Sequence, residues 1–152
     1  MAIKVLELHH HGIRIGPTAE AKQQAHDFYH GVLGLDPDAG RPHIPAIDGY
    51  WMDVGAGAQI HLMGVEGESS LAQGPGKDPS RPHVALAVED IQAAKKELDR
   101  MGVPYWVGKN IVGPASEQVF MDDPFGNMIE LHQAGTCRCI GKTRPAAASK
   151  MS

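Results

Sequence analysis

The chain has 152 residues, 42% hydrophobic content and a formal net charge of −4, and its nine histidines are the compositional outlier. That length fits one domain or two small packed copies of a unit, and the mildly acidic balance argues against nucleic acid or an anionic membrane as partner. No apolar run approaches the roughly 20 residues of a membrane helix, and the amino terminus enters a strand without a signal-like region, so a cytoplasmic location is the expectation.

Residues 4–15 alternate as a first strand, which Pro17 breaks. Thr18 is placed to cap a helix carrying Ala21, Ala25, Phe28 and Tyr29 at helical spacing, with Gly31 or Gly34 as its stop. Phe28 and Tyr29 are expected to anchor that helix on a sheet. Residues 36–49 are rich in Pro, Gly and Asp and read as a loop with a short strand near 44–47. Strands at 50–54 and 59–63 follow, joined by the hairpin signal Gly55-Ala56-Gly57. Residues 65–80 lack a period and read as a linker.

The same order then returns. A strand at 82–88 leads to a helix that Asp90 caps and Gly102 stops, and strands follow near 105–108, 117–121 and 127–132. This divides the chain into module one (4–64), linker (65–80) and module two (81–133) of one domain spanning 1–133, with a mobile tail expected over 134–152. Cys137 and Cys139 are too close for an unstrained disulfide and receive no role.

The repeat turns scattered residues into a site. Along the strand at 82–88, Val84, Leu86 and Val88 share one face, while His83 sits with Ala85 and Ala87 on the other, with room around it. Glu130 likewise faces away from Ile129 and Leu131. Laying the first copy over the second puts His10 on His83 and His61 on Glu130, with offsets that differ by only a few loop residues. Imidazole and carboxylate are ligand types for Zn, Ni, Mn or Fe, so His10, His61, His83 and Glu130 are the candidate metal ligands, and His61 and Glu130 the candidate catalytic groups. His9 and His11 fall on the opposite face unless a bulge intervenes, and packing is the expected role of His11. His132 is a candidate neighbour of the ligands, and His26, His30 and His43 read as surface or loop residues. Arg14 is a candidate contact for an anionic substrate group. Of Tyr50 and Trp51, and of Tyr105 and Trp106, one each can face a pocket.

These residues resemble the vicinal oxygen chelate superfamily, which includes glyoxalase I, methylmalonyl-CoA epimerase, extradiol dioxygenases and fosfomycin-resistance thiol transferases. The features that carry the resemblance are the His-x-x-hydrophobic-x-hydrophobic openings at His10 and His83, Asp27-Phe28-Tyr29 with Leu33-Gly34-Leu35, and Asp123-Pro124-Phe125-Gly126-Asn127 before Glu130. Arg41-Pro42, Tyr50-Trp51-Met52-Asp53-Val54-Gly55 and Ile60-His61-Leu62-Met63 look most like the glyoxalase-I-like branch. The resemblance implies an α+β fold of two βαβββ modules in tandem, a curved mixed sheet around a metal-binding cavity, and a homodimer whose cavities form within one chain or across two. It also implies glutamate or glutamine at position 61, where this chain has histidine. His10, His83 and Glu130 alone would make the two-histidine, one-carboxylate set of non-haem iron oxygenases.

Three functions are open on this reading. The first is a divalent-metal-dependent, glyoxalase-like lyase or isomerase acting on a small oxygen-chelating substrate by metal-assisted proton transfer. The second is a non-haem Fe(II) ring-cleaving dioxygenase of the extradiol type. The third is a drug-binding or thiol-transferase resistance protein.

Overall fold

The computed structural model describes residues 3–55 and 57–135. Cys137, Cys139 and all but the first two residues of the expected tail lie outside the described residues.

Alternating side chains and well-placed caps produce the elements in the expected order. Strand β1 (Val5–Ile15) leads to helix α1 (Ala19–His26), whose first turn is capped by Thr18 Oγ1 accepting from the Ala21 amide at 3.0 Å. The helix runs on into a π-helical turn, Asp27–Val32. Strands β2 (Asp36–Pro37), β3 (Asp48–Val54) and β4 (Ala58–Gly64) complete the first half. The second half is β5 (His83–Val88), helix α2 (Ile91–Met101), β6 (Trp106–Lys109), β7 (Glu117–Asp122) and β8 (Met128–Gln133). Asp90 caps α2 by accepting from the Gln92 and Ala93 amides, and Gly102 ends it in the left-handed conformation at φ 72°, where a side chain would be strained.

Among the described residues eight strands form one unclosed sheet in the order β2-β3-β4-β1-β5-β8-β7-β6. In each half the first strand lies parallel to the last, β1 beside β4 and β5 beside β8, and the halves join through the antiparallel pair β1 and β5. This is the tandem βαβββ arrangement, an α+β fold. The register preserves the repeat. Gly12 lies opposite His61 in one half and Ala85 opposite Glu130 in the other, while across the central seam His10 faces Ala85 and Gly12 faces His83.

The helices cover the apolar sides. Ile91, Ala94 and Leu98 of α2 pack on Val88, Val119 and Leu131, and Ala25 of α1 packs on Met52 and Leu62. Each large apolar side chain buried there contributes about 1.5–3 kcal/mol.

Two expectations need correction. Tyr29 packs with the α1 cluster, but Phe28 stands 48% exposed, because adjacent helical positions diverge by about 100° and only one can face the sheet. Residues 44–47 form a turn closed by the Ile47 amide on the Ile44 carbonyl (3.0 Å), not a strand. Pro42 and Pro45 remove amide donors there, and Ile44 and Ile47 instead pack on Trp51, Met63 and Val65.

The stretch read as a linker ends in a buried polar knot. The Asp78 carboxylate accepts from the Ser69 amide and hydroxyl and from the Ser80 amide and hydroxyl, at 2.6–2.8 Å. Arg14 of β1 donates through Nε to the Ser80 carbonyl and through Nη2 to Ser80 Oγ, which pins this corner just before His83. Arg14 is therefore engaged in holding the fold. Burial raises the Asp78 carboxyl's pKa, but the four hydrogen bonds outweigh that and hold it below its ordinary value.

Asp78→Asn is expected to cost about 1–3 kcal/mol at pH 7, read as a lowered melting temperature. Because the folded carboxyl titrates below its unfolded value, its contribution is present above about pH 4 and is lost as pH falls through the folded value. The melting-temperature gap between wild type and variant should therefore shrink below about pH 4.

Candidate metal centre

Three strands deliver the central residues. His10 on β1 and Glu130 on β8 stand in one row with Ala85 of β5 between them, and His83 stands two residues along β5, beside Gly12. Strands lie about 4.8 Å apart, so His10 and Glu130 must lean over the Ala85 methyl to meet. They do, with His10 Nε2 3.4 Å from Glu130 Oε1. His83 Nε2 lies 3.2 Å from the same oxygen and 3.1 Å from His10 Nε2. Gly12 is needed equally, since a Cβ built there would lie 2.7 Å from His83 Cε1.

A bulge in β1 completes the arrangement. Leu8 faces Leu86 and His10 faces Ala85, so His9 is an extra residue in the strand. His9 and His10 are consequently both buried, and His11, expected to pack, is exposed. His9 Nδ1 lies 2.8 Å from His10 Nδ1, and its ring stacks on His132 at 4.5 Å. His132 in turn places Nε2 3.9 Å from Glu130 Oε2. His30 and His43 are exposed, and His26 lies half-buried against Tyr50.

His61 is close to this cluster but outside its set of converging ligand atoms, which comprises His10, His83 and Glu130. Its ring stacks on His10 at 3.6 Å and on Trp51 at 4.3 Å, and its Nε2 lies 3.0 Å from Gln59 Oε1. The hydrogen bonds of Gln59 settle the tautomer. Its Nε2 donates to Asp38 Oδ2 and Asp53 Oδ1, both at 2.8 Å, so its Oε1 is the acceptor and His61 Nε2–H the donor. The His61 lone pair is then on Nδ1.

Burial and mutual contact together set the charges of the triad. His83 Nδ1–H donates to the Arg81 carbonyl at 2.5 Å, which turns the Nε2 lone pair toward Glu130. Burial raises the Glu130 carboxyl's pKa, but His10 and His83 outweigh it and keep the group ionised, well below the usual carboxylate range. Burial pushes His10 down to about 4 against the pull of Glu130. In His83 burial is overcome by the Glu130 contact, which raises its pKa. Burial and the neighbouring His10 hold His61 neutral.

A divalent ion fits these residues. Donors about 2.1 Å from a metal in tetrahedral or octahedral geometry lie about 3.0–3.4 Å from one another, matching the observed 3.1–3.4 Å. Buried Glu130 Oε2 has no hydrogen-bond partner among the described residues, a further acceptor for the ion or for a bound water. His10, His83 and Glu130 thus form a three-residue set, within one chain, able to hold a metal ion.

The set opens on a narrow cavity of about 40 Å³, walled by Ile44, Ile47, Trp51, Met63 and Phe120. Trp51 faces inward while Tyr50 packs toward α1; Trp106 stacks on Phe120 behind the wall, and Tyr105 packs in the α2 cluster. Two polar lining residues escaped the sequence reading as site groups. Arg41 figured there only in the resemblance, and Gln118, whose inward place on β7 strand alternation could have indicated, has a buried Oε1 without a partner among the described residues.

Replacing His10, His83 or Glu130 by Ala should weaken Zn²⁺ or Ni²⁺ binding by about 100-fold or more in a chelator competition, whereas His61→Ala should change it less than about tenfold. Gly12→Ala should also weaken binding by at least about tenfold, with the melting temperature changed by a few degrees at most, because its methyl displaces the His83 ring. Below the raised pKa of His83 the metal must displace a proton, so affinity should rise about tenfold per pH unit and level off above it.

Over residues 8–131 the sequence matches the family model described as Glyoxalase/Bleomycin resistance protein/Dioxygenase superfamily. No curated protein sequence matches it. Among solved structures the chain is similar to methylmalonyl-CoA epimerase from Mycobacterium tuberculosis, at 26% identity and TM-score 0.64, over 88% of this chain and 91% of that one. A variant of Streptomyces coelicolor methylmalonyl-CoA epimerase in complex with 2-nitronate-propionyl-CoA gives TM-score 0.65 at 16% identity, over 88% of this chain and 98% of that one. A catechol 2,3-dioxygenase gives TM-score 0.54 at 19% identity, over 87% of this chain but only 40% of that one. The last two likenesses are of fold alone. Taken with the family match along nearly all of the described residues, the mirrored strand registers place this chain in the Glyoxalase/Bleomycin resistance protein/Dioxygenase superfamily, to which it belongs.

Proposed function

We propose that the protein is a divalent-metal-dependent lyase or isomerase that moves a proton beside a carbonyl in a small substrate presenting two neighbouring oxygens. The observation that carries this reading is the convergence of His10, His83 and Glu130 on one point at the end of an apolar cavity. Three protein ligands leave coordination positions open for substrate. When bound, the cation supplies Lewis acidity, polarising a carbonyl oxygen and lowering the pKa of the adjacent C–H.

The chain's own residues supply the rest. Trp51, Ile44, Ile47, Met63 and Phe120 exclude water, which strengthens every electrostatic contact within the cavity. With Glu130 committed as a ligand, His61 is the group that carries the proton. Its neutral ring presents a bare Nδ1, held in that tautomer by Gln59, which Asp38 and Asp53 orient.

A second reading, the ring-cleaving Fe(II) dioxygenase, is favoured by the donor set itself, because two histidines and one carboxylate are the ligands of non-haem iron oxygenases. The readings separate by chemistry. The protein would be loaded anaerobically with Zn²⁺, Ni²⁺, Mn²⁺ or Fe²⁺ and incubated in D₂O with a hemithioacetal, a branched malonyl thioester and small hydroxyketones. The proposed function calls for metal-dependent deuterium entry α to a carbonyl, reduced about 10²-fold or more in His61→Ala with metal content unchanged. Oxygen uptake with Fe²⁺ and a catechol would move the assignment to the second reading. Ligand binding with neither reaction would sink both and leave a binding or resistance protein.

A further inference from the structure

Arg41 is the one lysine or arginine among the described residues lining the cavity, and the metal-centre chemistry does not use it. It lies in the loop between β2 and β3 and donates through Nη2 to the Ile47 carbonyl (2.5 Å) and through Nη1, at 3.3 Å, to the Pro42 carbonyl. Its Nε is buried and donates to nothing among the described residues. The acid whose charge bears on it, Asp48, is bonded to Lys22 at 2.9 Å. A largely desolvated cation therefore lines the cavity, with carbonyl dipoles at two of its nitrogens and, for counter-charge, an Asp48 carboxylate that it shares with Lys22. Burial shifts its pKa downward, and the charge of Asp48 offsets only part of that shift.

Neighbouring rings connect it to the ligands. The guanidinium lies 5.8 Å from the centre of the Trp51 ring, Trp51 stacks on His61, and His61 stacks on His10. These contacts link the loop to a ligand of the metal centre, and one cavity touches all four residues. A residue that only stapled the loop would need the two carbonyls and no place on the cavity wall. A guanidinium is a planar fork matched to a carboxylate. A phosphate dianion would carry more charge than this single cation balances.

We propose that Arg41 is a carboxylate-binding subsite, so that the substrate is a small acid whose carboxylate docks at Arg41 while its two neighbouring oxygens reach the His10, His83 and Glu130 end. The substrate half of this statement rests on the metal-dependent function proposed above; the anion site does not.

Calorimetric titration of the Zn²⁺-loaded protein with 2-oxo dicarboxylates of four, five and six carbons, each against the 2-oxo monocarboxylate of equal length, tests it. At least one dicarboxylate should bind about tenfold or more tightly than its counterpart. Arg41→Gln should reduce that preference to within about twofold, and Arg41→Lys, which keeps the charge and loses the fork, should fall between them. Zn²⁺ affinity should be unchanged in both variants. Equal binding of mono- and dicarboxylates by wild type, a preference that survives Arg41→Gln, or inorganic phosphate displacing the dicarboxylate more strongly than acetate does would overturn the carboxylate assignment. Glutarate added to metal-free protein separates the two proposals. Arg41-dependent glutarate binding in a protein that takes up no metal would retain the subsite and remove the metal chemistry.

Discussion

Three ligand atoms carried by three strands can meet only if the positions between them are nearly empty. Gly12 and Ala85 provide that emptiness. Each lies in register beside a ligand strand, Gly12 against His83 and Ala85 against both His10 and Glu130. Close-packed interiors have no slack for an added methylene, so the size of these two residues controls the centre as directly as the identity of the ligands does. The pseudo-two-fold relation of the halves explains why there are two such positions. Gly12 and Ala85 are equivalent in the repeat, and the antiparallel seam sets each beside the other half's histidine.

The same duplication has diverged in its chemistry. Glu130 and His61 occupy equivalent places, each beside the small residue of its own half. The carboxylate joins the two imidazoles of the central strands and is held ionised by them. The imidazole instead stacks between Trp51 and His10 and turns its N–H toward Gln59. One half thus contributes a charge to the centre, and the other a neutral ring with a defined lone pair. Arg41 stands on the wall of the same cavity, near the Trp51 ring.

The peripheral framework keeps these positions exact. Arg14, Asp78 and Ser80 tie the approach to β5 onto β1, so the backbone that carries His83 is held from both sides. The His83 ring is fixed further by its N–H on the Arg81 carbonyl, and His10 by its contact with His9. Histidines that bind metals are commonly oriented this way through the ring nitrogen that does not face the metal.

Periodicity, caps and the internal repeat determined the order of elements, the pairing of the two halves and the equivalence of His10 with His83 and of His61 with Glu130. These follow from local rules, because side-chain alternation, a Thr18 or Asp90 cap and a glycine stop act over a few residues of chain. The tertiary structure decided the rest. Only pairing with β5 shows that β1 carries a bulge, which buries His9 beside His10 and exposes His11. Only the packing of side chains from separate strands puts His61 into an aromatic stack, ties Arg14 to the Asp78 corner and sets Arg41 on the cavity wall. Such outcomes depend on which residues meet across the sheet, and that distance-dependent choice leaves no mark in the order of residues along one strand.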